Sequence, residues 1–143
     1  MKFFVAIKSN ADTEAGKMPS EQLLREMTEF NEKLVKAGVM LAGEGLHPSS
    51  RGARVEFSGK SGRRVIDGPF AESKELVAGY WIFNCASLQE AIDWVKQVPN
   101  PDGDDGVVEI RQIFDAADFG EEFTPDLRER NDRMADEIAK KAK

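Results

Sequence analysis

The sequence has one cysteine and one histidine among its 143 residues. A single cysteine excludes an internal disulfide and fits a reducing cytoplasm. One of each leaves no cluster able to hold a transition metal, so neither a metal nor another cofactor is expected. Long apolar runs are missing too, and none approaches the roughly 18 residues a membrane helix needs. The opening Met1-Lys-Phe-Phe-Val-Ala-Ile-Lys8 has only a short apolar run, followed by polar Lys8-Ser-Asn-Ala-Asp12. It reads as a first strand and not as an export signal. Excess positive charge is also absent: the net charge is −6. That works against nonspecific nucleic-acid binding, which needs cations to displace phosphate counterions. Arg51, Arg54, Lys60, Arg63 and Arg64 form a local basic cluster, whose plainest reading is a solvated hairpin. The expectation is a cytoplasmic protein with neither nucleic acid nor membrane as partner.

What is present is the composition of a globular domain, 41% hydrophobic and 32% charged. Lys2 to Lys8 reads as a strand with Phe3, Val5 and Ile7 on one face and Phe4 and Ala6 on the other. Both faces are apolar, as in a central strand. Residues 9 to 19 read as a loop. Ser20 starts a helix whose Leu23, Leu24, Met27, Phe30, Leu34 and Val35 make one apolar stripe, closed by Gly38. Val39 to Leu46 is a second strand in which Gly43 and Gly45 suggest a bend or close backbone approach. Ala53 to Ser58 and Arg63 to Asp67 form a hairpin about Gly59-Lys-Ser-Gly62. Leu76 to Cys85 is the strongest strand, again apolar on both faces. Ser87 and Glu90 form a capping box for a second helix, which stops before Pro99. Val107 to Phe114 is the last strand. Residues 1 to 114 are read as one domain, and 115 to 143 as a linker and helical tail with a narrow stripe of Leu127, Asn131, Met134 and Ile138.

This order contains a βαββαβ pattern, which folds as an antiparallel sheet with two helices on one face. Two helices cover one face only, yet two strands are apolar on both. Leaving about 600 Å² of apolar surface open would forgo about 15 kcal/mol, more than the net stability of a usual domain. A second copy is the simplest cover, and a tail folded over the sheet is the alternative.

Between the hairpin and the strongest strand lies Asp67-Gly-Pro-Phe-Ala-Glu-Ser-Lys-Glu75, followed by Gly79-Tyr-Trp-Ile82. Pro69 fixes its φ and Gly68 takes angles other residues avoid, so a shaped turn results. This stretch closely resembles the signature of DGPF-domain proteins within the YCII-related family. The opening Met1-Lys-Phe-Phe-Val strand, Gly43-Glu-Gly-Leu46 and Val107-Val-Glu-Ile-Arg111 add to the resemblance. It implies a ferredoxin-like α+β fold that pairs into a dimeric α/β barrel, with a cleft for a small molecule. It also implies a catalytic His–Asp pair in the family, from the first helix and the end of the second. Here the helix Ser20 to Ala37 has no histidine, and the second helix ends Gln97-Val-Pro-Asn100. Proteins of this type resemble ones encoded beside sigma factors of the extracytoplasmic-function class, which implies a regulatory alternative.

Among the residues themselves, His47 is the only side chain titrating near neutrality in its ordinary state. Glu44 and Asp67 are candidate carboxylates to orient it. Asp67 reads equally as a turn residue accepting backbone N–H groups. Arg54 and Arg63 are candidates to hold a carboxylate or phosphate, with Glu56 able to pair with Arg54 across the hairpin. Glu72, Tyr80 and Trp81 are candidate pocket walls; the two aromatics point to opposite faces. Cys85 reads as an inert buried thiol. Gly59-Lys-Ser61 lacks the glycine spacing of a phosphate loop, and Asn100 to Gly106 lacks the glycine and glutamate of a calcium loop. Two functions follow. One is a homodimer binding a small anionic or aromatic metabolite, with His47 and Asp67 as its possible chemistry. The other is a non-catalytic module that meets a protein partner through the C-terminal helix.

Overall fold

A computed structural model describes residues 1–142. It falls into two units, one spanning Met1–Gln112 and the other beginning at Ile113. The first holds β1 (Lys2–Lys8), α1 (Ala11–Glu14), α2 (Glu21–Lys36), β2 (Met40–Gly45), β3 (Ala53–Ser58), β4 (Gly62–Asp67), β5 (Val77–Asn84), α3 (Leu88–Val95) and β6 (Val108–Gln112). The second holds α4 (Pro125–Lys141).

Local chemistry sets these boundaries. Ser20 Oγ accepts the Leu23 N–H at 3.1 Å, satisfying one open donor of α2. Gly38 ends α2 in the left-handed region at φ 72°. Ser87 Oγ accepts the Glu90 N–H at 3.1 Å, while the Glu90 carboxylate accepts the Ala86 N–H at 2.6 Å. The stretch read as a loop over 9 to 19 contains one helical turn, α1, capped by Asn10 Oδ1 on the Thr13 N–H at 2.8 Å. A single turn is too short to leave a periodic signal. The last strand stops at Gln112, short of the expected Phe114.

Four strands form one sheet in the order β2-β5-β1-β6, every neighbouring pair antiparallel. Phe3 and Val5 of β1 and Trp81 and Phe83 of β5 face Phe30 and Leu34 of α2 and Ala91 of α3. Phe30 meets the Trp81 ring edge-on at 5.9 Å. The close approach expected at Gly43 is real: a Cβ there would lie 2.7 Å from Trp81 Cδ1. The alternate residues of the sheet point away from this core and form an outer face.

The hairpin forms as read but stays out of that sheet. β3 and β4 pair only with each other, Val55 opposite Val65 and Phe57 opposite Arg63. Every residue from Arg51 to Ser61 is exposed. In the second unit, Thr124 caps α4 and Pro125 occupies its first turn. Phe114 stacks on Phe119 with centroids 5.0 Å apart, and Phe123 meets Phe119 tilted at 5.5 Å. Leu127, Met134 and Ile138 of α4 are exposed.

Candidate functional site

The Asp67–Phe70 turn is hung from the segment before β3. The Gly68 N–H donates to the Gly52 carbonyl at 3.0 Å. The Phe70 N–H donates to Ser49 Oγ, also at 3.0 Å. Ser49 in turn donates twice to Glu14, from its hydroxyl to Oε2 at 2.8 Å and from its backbone N–H at 2.9 Å. One serine thus joins three distant stretches: the end of α1, the turn before β3 and the turn after β4. The Gly68–Pro69 peptide is cis. A Cβ on Gly68 would overlap the Ser49 carbonyl, so only glycine fits. Glu14 and Ser49 carried no signal in the sequence, because their partners lie 35 and 21 residues away.

Of the residues singled out from the sequence, Asp67 opens this turn and Arg54 covers its Phe70, but they form no catalytic cluster there. His47 is exposed, and its ring nitrogens lie 3.1 and 3.3 Å from Arg51 Nη1. Among the described residues no carboxylate is hydrogen-bonded to it, neither Glu44 nor Asp67. Asp67 closes β4 opposite Ala53, and among the described residues no backbone N–H is donated to its carboxylate; the nearby Phe70 N–H goes to Ser49 Oγ. Arg54 lies over the Phe70 ring at 3.8 Å. Arg63 lies over Phe57 at 4.3 Å. Strand parity puts these arginines on opposite faces of the hairpin, so they do not grip one anion together. Glu56 pairs with Arg64 at 2.8 Å, directly across the hairpin, and not with Arg54. Glu72 is exposed.

The two aromatics go opposite ways, as their alternation requires. Trp81 is a core residue, buried, with its Nε1–H donated to Asn31 Oδ1 at 2.9 Å. Tyr80 lies on the outer face, stacked on Phe4 at 5.6 Å. Strand register arranges that face in rows. Glu44, Tyr80, Ala6 and Glu109 form one, and Ala42, Ile82, Phe4 and Arg111 the next. Strands lie about 4.8 Å apart, so the acids at the two edges flank an apolar floor with one tyrosine hydroxyl. Two open hollows run along α2, one lined by Asn31, Val35 and Met40 and the other by Leu24 and Arg25. None of the candidate residues lines them. Cys85 is buried, and burial followed by the Glu90 charge pushes its thiol pKa up. An inert thiol follows. Among the described residues, no three acids, histidines or cysteines gather as a metal site, and no helix is long and apolar enough to cross a membrane.

Known proteins bear on the same span. The YCII-related domain family model matches residues 1–117. An uncharacterised protein of Rhizobium meliloti (strain 1021) is 33% identical over 98 residues, covering 68% of this chain and 77% of the relative. A 5-chloro-2-hydroxyhydroquinone dehydrochlorinase from Burkholderia phenoliruptrix AC1100, solved with 2,5-dihydroxybenzoquinone, aligns over 80% of this chain and 94% of its own. Its sequence identity is 11% and its TM-score 0.46.

Proposed function

The chain belongs to the YCII-related family, and we propose that it binds a small aromatic or anionic metabolite in a cavity closed by two copies of the chain. The observation that carries this reading is the outer face of the sheet. Phe4, Ala6, Tyr80 and Ile82 make an apolar floor in the middle of β1 and β5, with Glu44, Glu109 and Arg111 at its edges. An apolar floor with few placed polar groups is the composition of a small-molecule site. Within one chain Ala6 is buried and Phe4, Tyr80 and Ile82 are half-buried, and a second copy laid face to face encloses them. With the hairpin set aside, the order β2-β5-β1-β6 supports a ferredoxin-like unit, and two such units facing each other make a dimeric α/β barrel. Tyr80 is assigned to the ligand as stacking surface and hydroxyl partner. Arg54, Asp67 and His47, around the clamped turn, are assigned to the cavity mouth. With no carboxylate orienting His47, the reading is a binding protein in which His47 and Asp67 touch ligand without forming a dyad.

A thermal-shift screen of small phenols, quinones and aromatic carboxylates tests it. A ligand at 100 times its Kd adds about 2.7 kcal/mol to native stability. Tyr80→Phe is expected to reduce the shift at least threefold while leaving the ligand-free melting point in place. Sedimentation velocity supplies the second arm. A chain that stays monomeric at high concentration removes the closed cavity and this reading with it.

A second reading rests on a different observation. Leu127, Met134 and Ile138 line one side of α4 and are exposed, which suits helix-in-groove docking to a protein partner. Deleting residues 120 to 143 would then abolish co-purification of that partner and leave the dimer intact. Retention after deletion rejects it.

A further inference from the structure

The β3–β4 hairpin is an arm with one apolar face open to water. A lone two-stranded hairpin is marginally stable and gains from a further layer. Alternation puts Ala53, Val55 and Phe57 of β3 on the same face as their cross-strand partners Asp67, Val65 and Arg63 of β4. Val55 is 56% exposed, Val65 66% and Phe57 74%. Ala53, Arg63 and Asp67 are exposed as well. An open apolar centre rimmed by polar groups marks a surface that meets another molecule.

The arrangement of that face says which molecule. It has three rows: Ala53 with Asp67 at the base, Val55 with Val65 in the middle, and Phe57 with Arg63 toward the tip. Its one acid and its one cation stand at opposite ends of the same strand, β4. Neither forms an ion pair among the described residues. Lys60 lies beyond the rows, in the connecting turn. Turned over about a two-fold axis that crosses both strands at the middle row, this face fits itself. Valine meets valine, and each Asp67 meets the Arg63 of the second copy. The small Ala53 leaves room for the Phe57 ring with Arg63 stacked over it at 4.3 Å. Arg63 donates to the Gly62 and Lys60 carbonyls at 2.8 and 3.2 Å, which leaves three of its five N–H groups for a carboxylate. The other two-fold placement, with the axis along the strands, gathers Arg63 and Lys60 of both copies at one end and both Asp67 at the other. Like charges then share each end, which disfavours it.

We infer that the arms of two copies dock face to face and antiparallel, joined by reciprocal Asp67–Arg63 ion pairs around a centre of four valines. The contact uses no residue of the sheet's outer face, so it neither needs nor replaces the dimer proposed above. Two different isologous contacts in one chain assemble more than two copies. Asp67 also opens the clamped turn, so the Arg63 of the second copy brings a cation to that turn. Six side chains per arm make a small patch beside the about 800 Å² per partner of a stable interface. The contact alone is therefore weak, and trapping reads it best.

Cross-linking tests the inference. Cys85 is buried, so a cysteine placed on the arm is the reactive thiol. Val65→Cys treated with a short bis-maleimide is expected to give a covalent dimer, because Val65 faces its own counterpart. Phe57→Cys is the more exposed site, but its counterpart lies about 13 Å further along the strands, so about a tenth of that yield is expected. Adding Arg63→Asp to Val65→Cys sets acid against Asp67 at both ends, and about a tenfold lower yield is expected at low salt. Adding Asp67→Arg as well exchanges the charges and restores the yield, a rescue that a merely local loss of Arg63 would not show. Circular dichroism checks that each variant folds. Phe57→Cys cross-linking as well as Val65→Cys overturns the antiparallel register. A Val65→Cys yield unmoved by Arg63→Asp, or not restored by the exchange, overturns the ion pairs and the inference with them. Sedimentation of the same variants reads the outer-face dimer separately, and none of these outcomes removes it.

Discussion

Phe83 and Phe57 both sit in antiparallel strands, yet one is fully buried and the other is three-quarters exposed. The difference is the layer above. Phe83 lies on β5, between β1 and β2, with α2 and α3 roofing that face. Phe57 lies on β3, which among the described residues pairs only with β4, and no further element among them covers it. An alternating apolar pattern therefore makes a strand, but a second layer makes a core. Where the chain does not supply that layer, the stripe stays open to another molecule.

The contrast can be broken most severely at Phe83. Phe83→Ala is expected to cost about 3–5 kcal/mol by urea unfolding, the usual cost of emptying a buried aromatic site. Phe57→Ala, measured on dilute chain, is expected to change stability by less than about 0.5 kcal/mol. Equal losses would mean that the arm is covered within its own chain. Next in size is the join between the arm and the body. Gly68→Ala drives a methyl into the Ser49 carbonyl, and about 1–3 kcal/mol is expected from that overlap. Ser49→Ala strands the Phe70 N–H and removes one of the two donors to Glu14, leaving the backbone N–H of residue 49. Its expected cost is about 1–2 kcal/mol, with faster proteolysis of the arm as a separate readout. A melting point unchanged by Ser49→Ala would show that the turn holds without the clamp.

Smaller effects sharpen the contrast. Arg64→Gln, which breaks the exposed pair with Glu56, is expected to cost at most about 0.5 kcal/mol and nothing at high salt. Cys85 gives a pH test. Its folded pKa is raised, so its contribution is fully present below the thiol's unfolded value, about 8.5, and is lost as pH rises through the folded value. Folded chain is expected to resist thiol reagents at pH 8, and chain in urea to react at once. Rapid labelling of the folded chain would contradict the burial at Cys85.

Much of this was legible in the residues. The apolar stripe of α2, the Ser87 cap of α3 and the double-sided β1 and β5 appear where the local pattern puts them, while the Glu90 carboxylate reaches the Ala86 N–H one residue before the cap, so the capping box is only half formed. The turn at Asp67–Phe70 was legible as a shape from Gly68 and Pro69. Its anchor was not, because Ser49 and Glu14 are remote in sequence and ordinary in type. The candidate site suffered for the same reason. His47 and Asp67 read as partners, but the loop after β2 sets His47 beside Arg51, and strand register leaves Asp67 facing Ala53. Trp81 and Tyr80 were known to part, but which one faced the helices depended on where α2 packed.

By itself, then, the sequence determined the strands, the longer helices with their caps, and the turn, because these follow from hydrogen bonds and side-chain spacing within a few residues, whereas the single turn of α1 left no such signal. Only the tertiary structure decided that the hairpin stands apart from the four-stranded sheet, that Ser49 ties the turn to Glu14, and that Tyr80 and not Trp81 faces outward. Those outcomes depend on which surfaces meet across tens of residues, where packing and long-range hydrogen bonding override any local pattern.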